Sequence, residues 1–150
     1  MSLVERLTSD MKAALKAREE LRLTVLRSLI ATLNNKAIEK RAKTGKDEIL
    51  TDEEASQALM TEAKRRKESA AAFTNGSRQD LADKELAELV IIEAYLPKQL
   101  SKEETEAKVV AILAKLSIKE FGPAMKAVMA ELRGQADSKL VTEIVKQKLG

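Results

Sequence analysis

Residues 89–104 read Leu89-Val90-Ile91-Ile92-Glu93-Ala94-Tyr95-Leu96-Pro97-Lys98-Gln99-Leu100-Ser101-Lys102-Glu103-Glu104, and this stretch decides the fold. Its opening, 89–92, is the only strand-like run in the chain. That run stands inside a helical frame carrying Leu81, Leu86, Leu89, Ile92 and Leu96, so it reads as a buried helix segment. Pro97 disfavours helical geometry at Leu96 and begins the polar connector Pro97-Lys98-Gln99. Ser101 with Glu104 then forms a capping-box pattern, so a new helix starts at once. A boundary therefore falls between residues 96 and 97.

Upstream of it, Val4, Leu7, Met11 and Leu15 recur at helical spacing behind Ser2 as an N-cap. A second helix runs from about Glu19 to Arg41, with Leu23, Leu26, Ile30, Leu33 and Ala37 on one stripe. Lys43-Thr44-Gly45-Lys46-Asp47 reads as a loop. Thr51 with Glu54 opens a third helix, which reaches about Phe73 and stops at Asn75-Gly76. Ser77 is expected to cap the fourth.

Downstream, a fifth helix carries Val109, Ile112, Leu113 and Leu116. Ser117 with Glu120 repeats the capping pattern, but Gly122-Pro123 is expected to limit any helix there to about one turn. Pro123 can then sit in the first turn of a helix carrying Met125, Val128, Met129 and Leu132. Gly134 ends that helix. Asp137 caps the last, with Leu140, Val141, Ile144, Val145 and Leu149 facing inward. The expected architecture is all-α: an N-terminal bundle of about four helices (1–96), followed by a small three-helix C-terminal subdomain (97–150).

Composition agrees and excludes much chemistry. The 150 residues are 44% hydrophobic, enough for a core, and that core must be aliphatic because Phe73, Tyr95 and Phe121 are the only aromatics. With no cysteine and no histidine, disulfides, thiolate metal sites, imidazole ligands and histidine bases are out of reach. No segment approaches the ~18 apolar residues of a membrane span, and the first residues lack a signal peptide's apolar run. The expected location is cytoplasmic. The net charge of +3 is unevenly placed. Residues 1–96 balance at 17 basic and 17 acidic side chains, whereas residues 97–150 hold 10 and 7.

No catalytic constellation stands out. Ser69 near Lys67 and Ser138 beside Lys139 lack a glycine-rich loop that could supply an oxyanion hole. The five glycines form no phosphate-binding fingerprint. Asp52-Glu53-Glu54 and Glu103-Glu104 sit in first turns, where the helix dipole accounts for them. Lys64-Arg65-Arg66-Lys67 spreads around a helix, so it reads as a solvated face or an inter-helix ion-pair element. The scarcity of aromatics argues against base stacking. More promising is Arg133-Gly134-Gln135-Ala136-Asp137-Ser138-Lys139, where a glycine turn and a fresh helix start lie between two cations. Asp137, as the cap, already occupies one of the amide donors there.

The stretch Phe121-Gly122-Pro123-Ala124-Met125-Lys126-Ala127-Val128-Met129, then Arg133 through Val141, resembles the GatB/YqeY family. Lys67-Glu68-Ser69, Arg78-Gln79-Asp80-Leu81-Ala82 and Glu93 through Ser101 agree, as do Ser2 through Leu7 and Asp10-Met11-Lys12. The resemblance spans essentially the whole chain and follows the stand-alone YqeY-like proteins. Pro123, Ala124, Lys126 and Ser138 depart from the residues usual at their positions. The family's other branch is the tail of the B subunit of a glutamine-dependent tRNA amidotransferase, and that tail contacts tRNA. The amidase apparatus and the ATP site of that enzyme lie outside the tail and are not matched by this sequence. A carbon–nitrogen ligase label with glutamine as amido-N-donor would therefore be inherited from the larger enzyme.

The resemblance, with the C-terminal positive charge, implies a non-catalytic module binding tRNA or another structured RNA through phosphate and shape. The expected contacts are Arg133, Gln135 and Lys139, with Lys126 and Lys146 as supporting cations and Gly134 for backbone geometry. No catalytic residue, metal ligand or cofactor is expected. The alternative is a component or docking partner of a carbon–nitrogen ligase, or of another translation-related enzyme, acting through protein contacts. No membrane partner is expected, and oligomerisation stays open.

Overall fold

Ser2 opens the first helix through a reciprocal pair of hydrogen bonds. In the computed structural model, which describes residues 1–150, its hydroxyl accepts from the Glu5 amide at 3.2 Å. The Glu5 carboxylate in turn accepts from the Ser2 amide at 3.1 Å. Seven helices follow one another and no strand occurs: α1 (Leu3–Ala17), α2 (Glu20–Thr44), α3 (Asp52–Asn75), α4 (Gln79–Glu93), α5 (Lys102–Leu116), α6 (Phe121–Leu132) and α7 (Ser138–Leu149). The chain is all-α. It divides into two compact units, Met1–Leu96 and Pro97–Gly150.

In the first unit, α1 pairs with α2 and α3 with α4, and α2 also touches both α3 and α4. Leu7, Leu26, Leu29, Leu33, Leu59 and Ile92 are fully buried between them. On α3 the buried positions are mostly alanine (Ala55, Ala58, Ala63), which lets neighbouring backbones approach closely. Asp52, in the first turn of α3, also accepts the Leu3 amide at 3.0 Å, so it satisfies an open donor at the start of α1. Arg66, from the basic run, reaches α4, where it pairs with Glu88 and, at 3.3 Å, with Glu85. Arg65 pairs with Glu62 on its own helix. The run is thus partly an inter-helix brace.

The second unit packs α5, α6 and α7 against each other around Val109, Ile112, Val128, Leu132, Val141, Ile144 and Val145. Ser101 caps α5, accepting from the Glu104 amide at 3.1 Å. Asp137 caps α7, accepting from the Lys139 amide at 3.3 Å.

Several local expectations are corrected. Ser77 does not cap α4. It adopts the left-handed conformation (φ 59°) that closes α3, and Arg78, with no side-chain cap bond, precedes α4. The Arg78 amide bonds to the Phe73 carbonyl and the Ser77 amide to that of Thr74, which is the Schellman arrangement. A residue in that geometry cannot also be the extended N-cap of the next helix. Ser117 behaves alike, ending α5 at φ 51°, while Glu120 precedes α6 without a side-chain bond. The short helix expected after Ser117 does not form, since residues 118–120 are not helical. α6 begins at Phe121 with Pro123 in its first turn as expected, where the missing N–H has no helical partner to lose. Leu15, Leu86 and Leu116, which fit the apolar period of their helices, are 53%, 43% and 50% exposed.

Candidate functional site

Arg133 closes α6 in an extended conformation (ψ 129°), and Gly134 follows at φ +80°. Reversing the chain this tightly needs the left-handed region that glycine enters without strain. The Gln135 amide bonds back to the Leu132 carbonyl at 2.9 Å, and the Gln135 carbonyl accepts from the Leu100 amide at 2.8 Å. From the same connector, the Gln99 side-chain amide donates to the Gly134 carbonyl at 2.7 Å and to the Pro97 carbonyl at 2.8 Å. Pro97–Leu100 is therefore stitched to the α6–α7 joint. Gln99 was not singled out by the sequence. Its signal was only its place in a polar connector, because the partner that ties it to the joint, Gly134, lies 35 residues away in the chain.

The six expected contact residues fall into two groups. Gly134 is buried and structural, and the half-buried Gln135 donates its side-chain amide to the Glu131 carbonyl at 3.2 Å. The other four, Lys126, Arg133, Lys139 and Lys146, present cations at the surface. Lys139 and Lys146 lie seven residues apart on α7, two turns along one side of the helix. The Lys146 ammonium stands 5.7 Å from the centre of the Phe121 ring, where α6 begins. Lys148, by contrast, pairs with Glu106 of α5 at 2.9 Å and holds that carboxyl below its usual range through the hydrogen bond. The helix start at Ser138 is already served by Asp137, so backbone amides contribute little to an anion there. Side-chain cations carry the positive field.

A second polar cluster lies in the first unit, around Tyr95. Its hydroxyl donates to Asp10 at 2.6 Å and accepts from Arg22 at 3.4 Å, and the Arg6 guanidinium lies 4.7 Å from its ring centre. Burial and the Asp10 carboxylate raise the phenol above its ordinary pKa. The geometry makes this a clamp between α1 and the end of α4. No group of three or more potential ligating side chains is placed to hold a metal ion, and no helix is long and apolar enough to cross a membrane.

The family model described as Yqey-like protein matches residues 4–149. Curated relatives carry the name Altered inheritance of mitochondria protein 41, mitochondrial. The one from Kluyveromyces lactis is 35% identical over 132 residues, which is 86% of this chain and 68% of the relative. That from Lachancea thermotolerans is 34% identical, covering 82% of this chain and 63% of the relative. A Pyrenophora tritici-repentis protein of the same name is 27% identical over 97% of this chain and 80% of its own length. The chain spans about two thirds of the length of the first two.

Proposed function

This chain belongs to the Yqey-like protein family, and on that premise we propose that it is a non-catalytic accessory module that binds tRNA or another structured RNA. The observation that carries the reading is the concentration of positive charge in the second unit. Residues 97–150 hold the whole excess of +3, and Lys126, Arg133, Lys139 and Lys146 are all exposed there. Contacts of this kind neutralise phosphates and read shape, with little sequence discrimination. The module works in an aqueous compartment: the cytoplasm or, as the names of its relatives say of them, the mitochondrion. Filter binding of bulk tRNA at two salt concentrations tests the reading. Arg133→Glu combined with Lys139→Glu should abolish retention while the helical signal stays intact. Unchanged retention would remove these residues from the site, and wild-type binding no better than that of an unrelated protein of equal charge would end the RNA reading.

A second reading has its own observation. Val110, Leu113, Ala114, Ile118 and Leu149 line an open groove of about 410 Å³ on the second unit, bordered by Lys119 and Lys148. Such a surface suits docking to a translation-related enzyme, a carbon–nitrogen ligase among them. Protein partners recovered after nuclease treatment, and lost on Val110→Glu, would favour it.

A further inference from the structure

The chain has three aromatic side chains, and the fold treats them differently. Tyr95 is buried at 7% exposure, and Phe73 is half-buried. Phe121 is 42% exposed at the first residue of α6. The most exposed ring in the molecule therefore lies in the unit that holds the excess positive charge, with the Lys146 ammonium 5.7 Å from its centre.

Lys139 and Lys146 are two turns apart on one side of α7, roughly 10 Å along the helix axis. Phe121 stands at the Lys146 end of that line. Glu143 lies between the two lysines at the edge of the same side, so the line carries a net charge of only +1. Phosphate neutralisation by so small a charge is weak. It suits a lone strand, with one charge per roughly 3.4 Å, better than a duplex, which carries twice that density. What remains to supply affinity is the ring, since every base has a face that stacks on an aromatic side chain. The ammonium–ring contact at an exposed site is weak and readily exchanged, so a base can take the ring while Lys146 turns to the adjoining phosphate.

We propose that Phe121, beside Lys146 at one end of the line that runs to Lys139, is a stacking platform for one unpaired nucleobase of a single-stranded RNA segment. This rests on the RNA-binding reading and gives it a contact of different chemistry. The chain contains no tryptophan, so Phe121→Trp places a single tryptophan fluorophore at the site. The test titrates that variant with a short oligoadenylate and, separately, with a blunt RNA duplex.

Oligoadenylate should quench the tryptophan, and the duplex should not. Phe121→Leu, which keeps apolar bulk and therefore the fold, should bind oligoadenylate about 5- to 150-fold more weakly than wild type. Its melting temperature should stay close to the wild-type value. Oligoadenylate binding without quenching, or equal binding by the Leu variant, would overturn the platform. If the duplex and bulk tRNA were still retained in a salt-sensitive way, the RNA reading would survive that result. Absence of binding by the wild type to any of the three RNAs would remove both.

Discussion

The Tyr95 hydroxyl donates a 2.6 Å hydrogen bond to the Asp10 carboxylate, tying the residues just past α4 to the middle of α1. The two are 85 positions apart, and Arg22 stands near both, 3.4 Å from the phenol oxygen and 3.7 Å from the carboxylate. Removing the hydroxyl with Tyr95→Phe keeps the packed ring and deletes a bond to a charged acceptor. A loss of about 1–2 kcal/mol is expected, because Asp10 is partly open to water and can rehydrate. Urea unfolding followed by circular dichroism would measure it.

The same pair gives a pH dependence with a definite sign. The folded phenol titrates above its ordinary value, because burial and Asp10 oppose its ionisation. In the unfolded chain it ionises near pH 10. Its contribution to stability is therefore complete below about pH 10 and is lost as pH rises through the folded value. Wild type should lose stability more steeply above that pH than Tyr95→Phe. Parallel curves for the two proteins would show that the phenol is not the group responsible.

Arg66 and Glu88 form the most enclosed ion pair in the first unit, with Glu88 only 7% exposed. Breaking such a pair from one side leaves a charge without its partner in a poorly solvated place. Arg66→Met should cost about 3 kcal/mol, since Glu88 and Glu85 then face each other without a cation. The double variant Arg66→Met, Glu88→Leu should recover most of that loss. A double-mutant cycle by thermal denaturation separates the pair from the packing of each side chain.

Where the signals were local, the sequence was legible. Ser2 with Glu5, Thr51, Ser101 and Asp137 each start a helix as their spacing predicts, because a cap and its amide lie within three residues. Ser77 and Ser117 were misread for a physical reason: the same short polar residue can end one helix or begin the next, and geometry at φ near 50–60° decides. Leu86 and Leu116 fit the apolar period, but periodicity does not say where a neighbouring helix stops covering the stripe. At the candidate site, the Arg133–Lys139 joint was visible as a glycine turn between cations. The approach of Lys146 to Phe121 was not, since it depends on how α6 and α7 pack.

Ser77 closes α3 with a side chain in a backbone region that glycine tolerates better. Ser77→Gly relieves that strain while adding freedom to the unfolded chain, and the two effects oppose. The strain should win, because left-handed geometry costs an L-residue about 1–2 kcal/mol and the added chain entropy costs less. A net gain of about 0.5 kcal/mol is expected in chemical denaturation. Gly134→Ala is the converse: at φ +80° it should destabilise the second unit by about 1–2 kcal/mol. The added methyl would meet the Pro97 ring at an ordinary 3.5 Å, so backbone strain and not collision sets that cost.

The charge on α7 can be counted through salt. Each phosphate neutralised on a bound duplex, with release of its counterion, contributes about 0.9 to the slope of log affinity against log salt, and about 0.7 on a single strand. Lys139→Ala and Lys146→Ala should therefore each flatten the slope by about 0.7 on a single strand and about 0.9 on a duplex. Lys148→Ala should flatten it less, because that ammonium is held 2.9 Å from Glu106 and is already largely neutralised. The comparison controls itself: Lys146 and Lys148 share the last turn of one helix, and removing either changes the net charge equally. Equal slopes for all three variants would mean that RNA senses only total charge, and the line from Lys139 to Lys146 would lose its claim to be the contact surface.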